Sequence, residues 1–157
     1  MTQPLHYRRS RFSASLPKEL RYTRSHCWLK ELEPDLWRVG FTRFATRMLG
    51  ELVEFELDRP IGTALKLGEN IGWIEGFKAI SELYCVGSGA LAARNPALAA
   101  DVTLFDRDPH GSGWLYTLRG QPDPDAVDVQ GYVAILDATI DLMLGHDDAA
   151  DDPKAGP

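Results

Sequence analysis

No stretch of this 157-residue chain approaches the roughly 20 consecutive apolar residues of a membrane-spanning helix, so a bilayer span is not expected. Cysteine is scarce. Cys27 and Cys85 cannot build a disulfide framework and lack zinc-site spacing, and no apolar leader-like segment precedes them. Reduced thiols in a cytoplasmic-type compartment are the expectation. His6, His26, His110 and His146 show no paired ligand spacing, which predicts structural or solvated roles and no metal. The rest of the composition is ordinary: 44% hydrophobic and 25% charged residues with a net charge of −6 fit one globular domain and exclude wholesale disorder.

Acidic residues are missing from the start of the chain. Residues 1–30 carry seven Arg or Lys against Glu19 alone, whereas residues 121–157 carry nine Asp against Lys154. Residues 1–20 therefore read as a basic, flexible N-terminal arm, with a short organellar presequence leading to the mitochondrial matrix as the alternative. An acidic chain with no Lys/Arg-rich helix and no stacking motif gives no support for nucleic-acid binding. Residues 145–157 are nearly all Asp, Ala, Gly and Pro after His146, a composition that predicts a disordered acidic tail.

Between the ends, short strands punctuated by glycine are predicted at Trp37–Phe41, Leu52–Leu57, Ile71–Glu75, Ile80–Val86 and Trp114–Leu118. Two short helical connectors interrupt them. One is Arg43–Leu49, stopped by Gly50, and the other is Pro96–Ala100, where Asn95 supplies a cap and Pro96 the first helical position. After Pro122 and Pro124 the period changes: Val129, Val133, Leu136, Ile140 and Met143 fall on one helical face, which predicts an amphipathic helix docked on the strands. Residues 21–144 thus form an all-β domain with minor α, a sandwich or barrel closed by a C-terminal helix.

The segment Asn70–Gly89 carries the chemistry. Two apolar strands flank Gly76-Phe77-Lys78-Ala79, which puts Lys78 near a hairpin tip. On spacing alone it is a surface lysine at a turn.

The wider pattern adds to this. It includes Leu16-Pro17-Lys18-Glu19-Leu20-Arg21-Tyr22-Thr23-Arg24-Ser25-His26 before Trp28, then Val39-Gly40-Phe41-Thr42, Leu49-Gly50-Glu51-Leu52-Val53 and Leu65-Lys66-Leu67-Gly68-Glu69. It continues through Glu75…Lys78-Ala79 with Ser81 and Tyr84, then Ser88-Gly89, Asn95 and Asp108-Pro109…Gly111…Gly113-Trp114-Leu115. From Leu16 to about Leu144 the chain resembles the glycine cleavage H proteins, lipoyl carriers with the hybrid barrel-sandwich fold of the lipoyl/biotinyl-carrier type. The resemblance implies lipoate covalently attached to Lys78, with Glu75 and Ala79 read by the attaching enzyme. It further implies a non-catalytic carrier serving glycine decarboxylase, aminomethyltransferase, dihydrolipoyl dehydrogenase and a lipoate-attaching enzyme. Biotin carriers flank their lysine with methionines, whereas Phe77 and Ala79 flank Lys78 and point to lipoate.

Ser25, Cys27 and Glu82 correspond to positions that shelter the arm in the family. Cys27 replaces a glutamate there, Glu82 an aspartate, and Arg43 reverses a charge near a partner-facing surface. Gly76 is expected to loosen the turn and Phe77 to enlarge it. Cys27 and Cys85 have two readings, inert packing or thiol exchange with the arm. Two other functions remain open on sequence: an H-like paralogue carrying lipoate for sulfur oxidation or lipoate relay, and an unmodified binding module.

Overall fold

The computed structural model describes residues 3–151, with side chains through Gly145. In chain order, β1 (Leu5–Arg9) and β2 (Phe12–Leu16) precede β3 (Arg21–Tyr22), β4 (Cys27–Glu33) and β5 (Leu36–Phe41). Helix α1 (Arg43–Leu49) leads to β6 (Leu52–Leu57), β7 (Ala64–Leu65), β8 (Asn70–Gly76), β9 (Ile80–Tyr84) and β10 (Gly87–Arg94). Two short helices, α2 (Pro96–Ala100) and α3 (Leu104–Arg107), separate these from β11 (Tyr116–Pro122) and the closing helix α4 (Val129–Asp151).

A six-stranded sheet in the order β3-β4-β5-β11-β10-β7 faces a three-stranded sheet in the order β6-β8-β9. The all-β architecture with a C-terminal helix is therefore present as a sandwich whose sheets do not close into a barrel. Alternation along β4 shows how one strand serves two cores. Cys27 and Leu29 enter the core between the sheets, with Val39, Ile71, Ile74, Leu91 and Leu118, while Trp28 enters a second core under α4 with Tyr22, Phe44, Tyr132 and Leu136. Trp28 is 1% exposed, and its indole N–H donates to the carbonyls of Pro109 at 2.8 Å and Phe41 at 3.1 Å, so its one polar atom is satisfied.

Both predicted connectors match the observed helices. The Thr42 hydroxyl accepts from the Ala45 amide at 3.4 Å to cap α1. Asn95, 3% exposed, accepts from the Ala97 amide at 3.0 Å and donates to the Ser112 and Trp114 carbonyls, both at 2.8 Å.

Two expectations about the ends need correction. Residues 5–16 form a hairpin, with Leu5 opposite Leu16 and Tyr7 opposite Ala14. The alternating apolar residues Tyr7, Phe12 and Leu16 are buried against α1 and α4, so a loose arm is not what this segment forms. Arg9 donates to Asp141 at 2.6 and 2.9 Å and the Tyr7 hydroxyl donates to Asp137 at 2.8 Å, so the basic start meets the acidic end directly. At the other terminus, α4 continues through Asp151, because Ala149 and Ala150 are strong helix formers and one glycine at 145 does not stop the helix. The rest of the expected tail, residues 152–157, lies outside the described residues. Among the described residues no helix is long and apolar enough to cross a membrane.

Candidate functional site: the Lys78 hairpin and its cleft

Strands β8 and β9 are antiparallel, with Glu75 opposite Ile80, and the chain reverses over residues 76–79. Every backbone amide of the reversing segment 76–78 is used: Gly76 donates to the Ala79 carbonyl at 2.9 Å, Phe77 to Glu51 at 3.0 Å and Lys78 to Leu49 at 2.8 Å. The last two bonds fasten the tip to the link between α1 and β6. Gly76 does not loosen the turn as its flexibility suggested; a Cβ there would stand 2.1 Å from the Leu49 carbonyl oxygen, so glycine is what lets the tip lie flat. Gly50, with φ +78°, ends α1 and makes room for Lys78, whose Cγ would lie 2.9 Å from a Cβ at that position.

The outcome is a fixed backbone carrying a free side chain. Lys78 is exposed, and its Nζ makes one long contact, 3.5 Å to the carbonyl of Arg47. Phe77 beside it is 77% exposed. Glu75 is half-buried on β8 and Ala79 is exposed at the turn, both within the hairpin as expected.

A cleft of about 290 Å³ opens next to the tip, between Ala79 and Ser81 on one side and α1 with the β3–β4 turn on the other. Ser25, His26, Phe41, Phe44 and Met48 line it, and no lining residue is an acid, lysine or arginine. His26 has a left-handed backbone (φ 66°) and its Nδ1 lies 2.9 Å from the Tyr132 hydroxyl, which also sits 2.7 Å from Thr42 Oγ1. Burial pushes the His26 imidazole down to about 4, so the ring is neutral at physiological pH and the cleft carries no charge.

Of the three residues expected to shelter the arm, Ser25 lines this cleft and the other two stand apart. Cys27 is 5% exposed and belongs to the core between the sheets. Burial pushes its thiol up to about 12 despite the nearby Ser25 and Thr23 hydroxyls. Cys85 is 1% exposed, donates to the Gly87 carbonyl at 3.1 Å, and is likewise raised by burial. Neither thiol forms a thiolate near neutral pH, so of the two readings for the cysteines the structure supports inert packing. Glu82 is exposed on β9 and accepts a hydrogen bond from the Tyr84 hydroxyl, away from the cleft. Arg43 turns the other way, donating to the Asp106 carbonyl while its backbone N–H donates to His110 Nε2 at 3.2 Å. Burial first and Arg43 second push His110 down to about 4, with Asp108 opposing.

The sequence reading missed His26, Phe44 and Met48 as cleft residues and Leu49 and Glu51 as braces. Their available signal was the position of Gly50, which stops α1 and turns the chain under the lysine. Among the described residues no group of three or more His, Cys, Asp or Glu is placed to hold a metal.

The residues present fit a covalently attached lipoyl group. An exposed amine stands on a braced tip, and an uncharged, largely apolar cleft lies alongside for a dithiolane ring.

Comparison with known proteins gives the family. The family model for "Glycine cleavage H-protein" matches residues 20–133. The glycine cleavage system H protein of Magnetococcus marinus is 39% identical over 127 residues, covering 78% of this chain and 89% of the relative. That of Rubrobacter xylanophilus is 36% identical over 124 residues, covering 79% and 97%. The crystal structure of a glycine cleavage system H protein from Mycobacterium marinum superposes with a TM-score of 0.69 at 31% identity, covering 76% of this chain and 97% of that one. The family match, on a β-sandwich, gives the class: a carrier-type domain. The chain belongs to the glycine cleavage H-protein family, whose members are lipoyl carrier components working with the other enzymes of that system.

Proposed function

We propose that this protein carries lipoate on Lys78 and shuttles an aminomethyl group between glycine decarboxylase, aminomethyltransferase and dihydrolipoyl dehydrogenase in the cytoplasm. The observation that supports this most directly is the tip itself: an exposed lysine whose turn is held by three backbone hydrogen bonds, two of them to the α1–β6 link. Such a tip keeps the attachment amine at a fixed height for the lipoate-attaching enzyme while leaving the side chain free to swing. When bound, the lipoyl group supplies a disulfide that accepts the one-carbon amine fragment and is afterwards reoxidised.

The chain's own residues bind and orient. Glu75 and Ala79 flank the lysine and offer the attaching enzyme its recognition points. Ser25 provides a hydroxyl at the cleft mouth, and Phe41, Phe44 and Met48 exclude water from the ring. His26 is held neutral by burial, so it does not repel an approaching ammonium. The protein performs no catalysis alone in this reading; the chemistry belongs to its partners.

Intact mass after co-expression with lipoate and an attaching enzyme tests the assignment, with Lys78→Arg alongside. A lipoyl increment present in the parent and absent in the variant is expected. No increment in the parent, or one that survives in Lys78→Arg, overturns it.

A further inference from the structure

The N-terminal hairpin lies before residue 20, where the match to the family begins, and it builds something the family-matched part alone does not contain. Between β1–β2, α1 and the end of α4 is a second cleft, about 210 Å³, walled by Phe12, Phe44, Met48, Ile140 and Met143. Arg9, Arg11 and Arg47 also line it. Arg9 is paired with Asp137 and Asp141, while Arg11 and Arg47 form no ion pair among the described residues.

This compartment adjoins the cleft beside the Lys78 hairpin. Phe44 and Met48 line both it and the cleft beside the hairpin tip, so the two spaces lie on either side of the same pair of side chains. Met48 is 44% exposed and unbranched, which lets it swing aside at little cost. The attachment atom is close as well. Lys78 Nζ is 3.5 Å from the carbonyl of Arg47, itself a residue of the far compartment, and Phe44 lies about 4.5 Å further along α1. A lipoyl chain adds about 10 Å beyond that nitrogen, enough to pass Met48. The cleft on the remaining flank of Lys78 is lined by Arg43, Arg47, Glu51 and Asp106 and is too polar for a dithiolane.

We infer that the hairpin gives this carrier a second resting site for its lipoyl arm, which receives the uncharged dithiolane between Phe12, Ile140 and Met143. The inference rests on Lys78 being the attachment site. The unpaired guanidinium groups of Arg11 and Arg47 repel an ammonium, so an arm bearing an amine is held in the uncharged near cleft and the empty arm in the far one. The hairpin thereby sorts the arm by load.

The three methionines of the chain make the test direct. Protein labelled with ¹³C at the methionine methyls is prepared lipoylated and oxidised, with attachment verified by intact mass, and compared with Lys78→Arg, which carries no arm. Nuclear Overhauser contacts from the arm to both the Met48 and Met143 methyls, with displaced resonances for both, are expected. Fully lipoylated protein in which only Met48 responds confines the arm to the near cleft and overturns the inference. So does lipoylated protein in which neither methyl responds. Failure of lipoylation itself shows in the mass and counts against the carrier assignment instead.

Discussion

Lowering the pH from 7.5 to 5 is expected to loosen the fold through two histidines. His26 and His110 are both held near 4 by burial, against an ordinary 6.5. A ring with that pair of values binds fewer protons folded than unfolded throughout the interval, so stability is level above about pH 6.5 and falls as the pH drops toward 4. At pH 5 the imbalance is worth about 2 kcal/mol for each ring, and solvent screening of the partly exposed rings brings the pair to about 2–3 kcal/mol in total. Asp101 is lowered by its hydrogen bonds from Thr103, so its loss of stability on protonation is centred below this interval. Urea unfolding followed by tryptophan fluorescence at pH 7.5, 6 and 5 reads the effect, with the double variant His26→Asn, His110→Gln in parallel. Asparagine tolerates the left-handed backbone at 26, and glutamine keeps an acceptor for the Arg43 amide. Parent protein with a flat profile, or an equal fall in the double variant, refutes the assignment of neutral buried rings.

Three further outcomes are expected. Gly76→Ala collides with the Leu49 carbonyl, costing about 2 kcal/mol or displacing the tip, and should lower both Tm and the lipoylated fraction in intact mass. Leu16→Ala, at a position 1% exposed, should destabilise by about 3 kcal/mol in denaturant unfolding; a change near zero contradicts a docked hairpin. Cys27 and Cys85 should resist maleimide in the native protein, whether the arm is oxidised or reduced, and react promptly in urea; rapid native labelling contradicts inert packing.

What the sequence made legible followed from local periodicity. Helices α1 and α2 match their predicted bounds because Thr42, Gly50, Asn95 and Pro96 are local signals that tertiary contacts had no reason to override. Strand β10 was not predicted, since Gly-Ser-Gly-Ala-Leu-Ala-Ala-Arg has few bulky or β-branched residues and pairs through its backbone with β11 and β7. The hairpin at residues 5–16 was obscured by its charge: the arginines drew attention from the apolar alternation of Leu5, Tyr7, Phe12, Ala14 and Leu16, and the acids that answer Arg9 lie over 125 residues away. At the site, Lys78 was readable as a turn lysine, whereas its bracing by Leu49 and Glu51 and the cleft at His26 depend on contacts between distant segments. Cys27 illustrates the opposite error. Its place in the sequence suggested the arm cavity, but strand alternation turns it into the core.

The meeting of Tyr7 with Asp137, 130 positions later, sets an order on the birth of the molecule. The first hairpin leaves the ribosome with Tyr7, Phe12 and Leu16 uncovered, and the face that covers them, on α4, is made only after all eleven strands. Until then its twelve-residue ribbon is too small to hold its own shape in water. Docking of α4 on the hairpin therefore waits until the sandwich strands between them have been made. A product lacking α4 would have the sandwich strands and the lysine turn in its sequence yet display an open apolar strip where Tyr7, Phe12 and Leu16 lie.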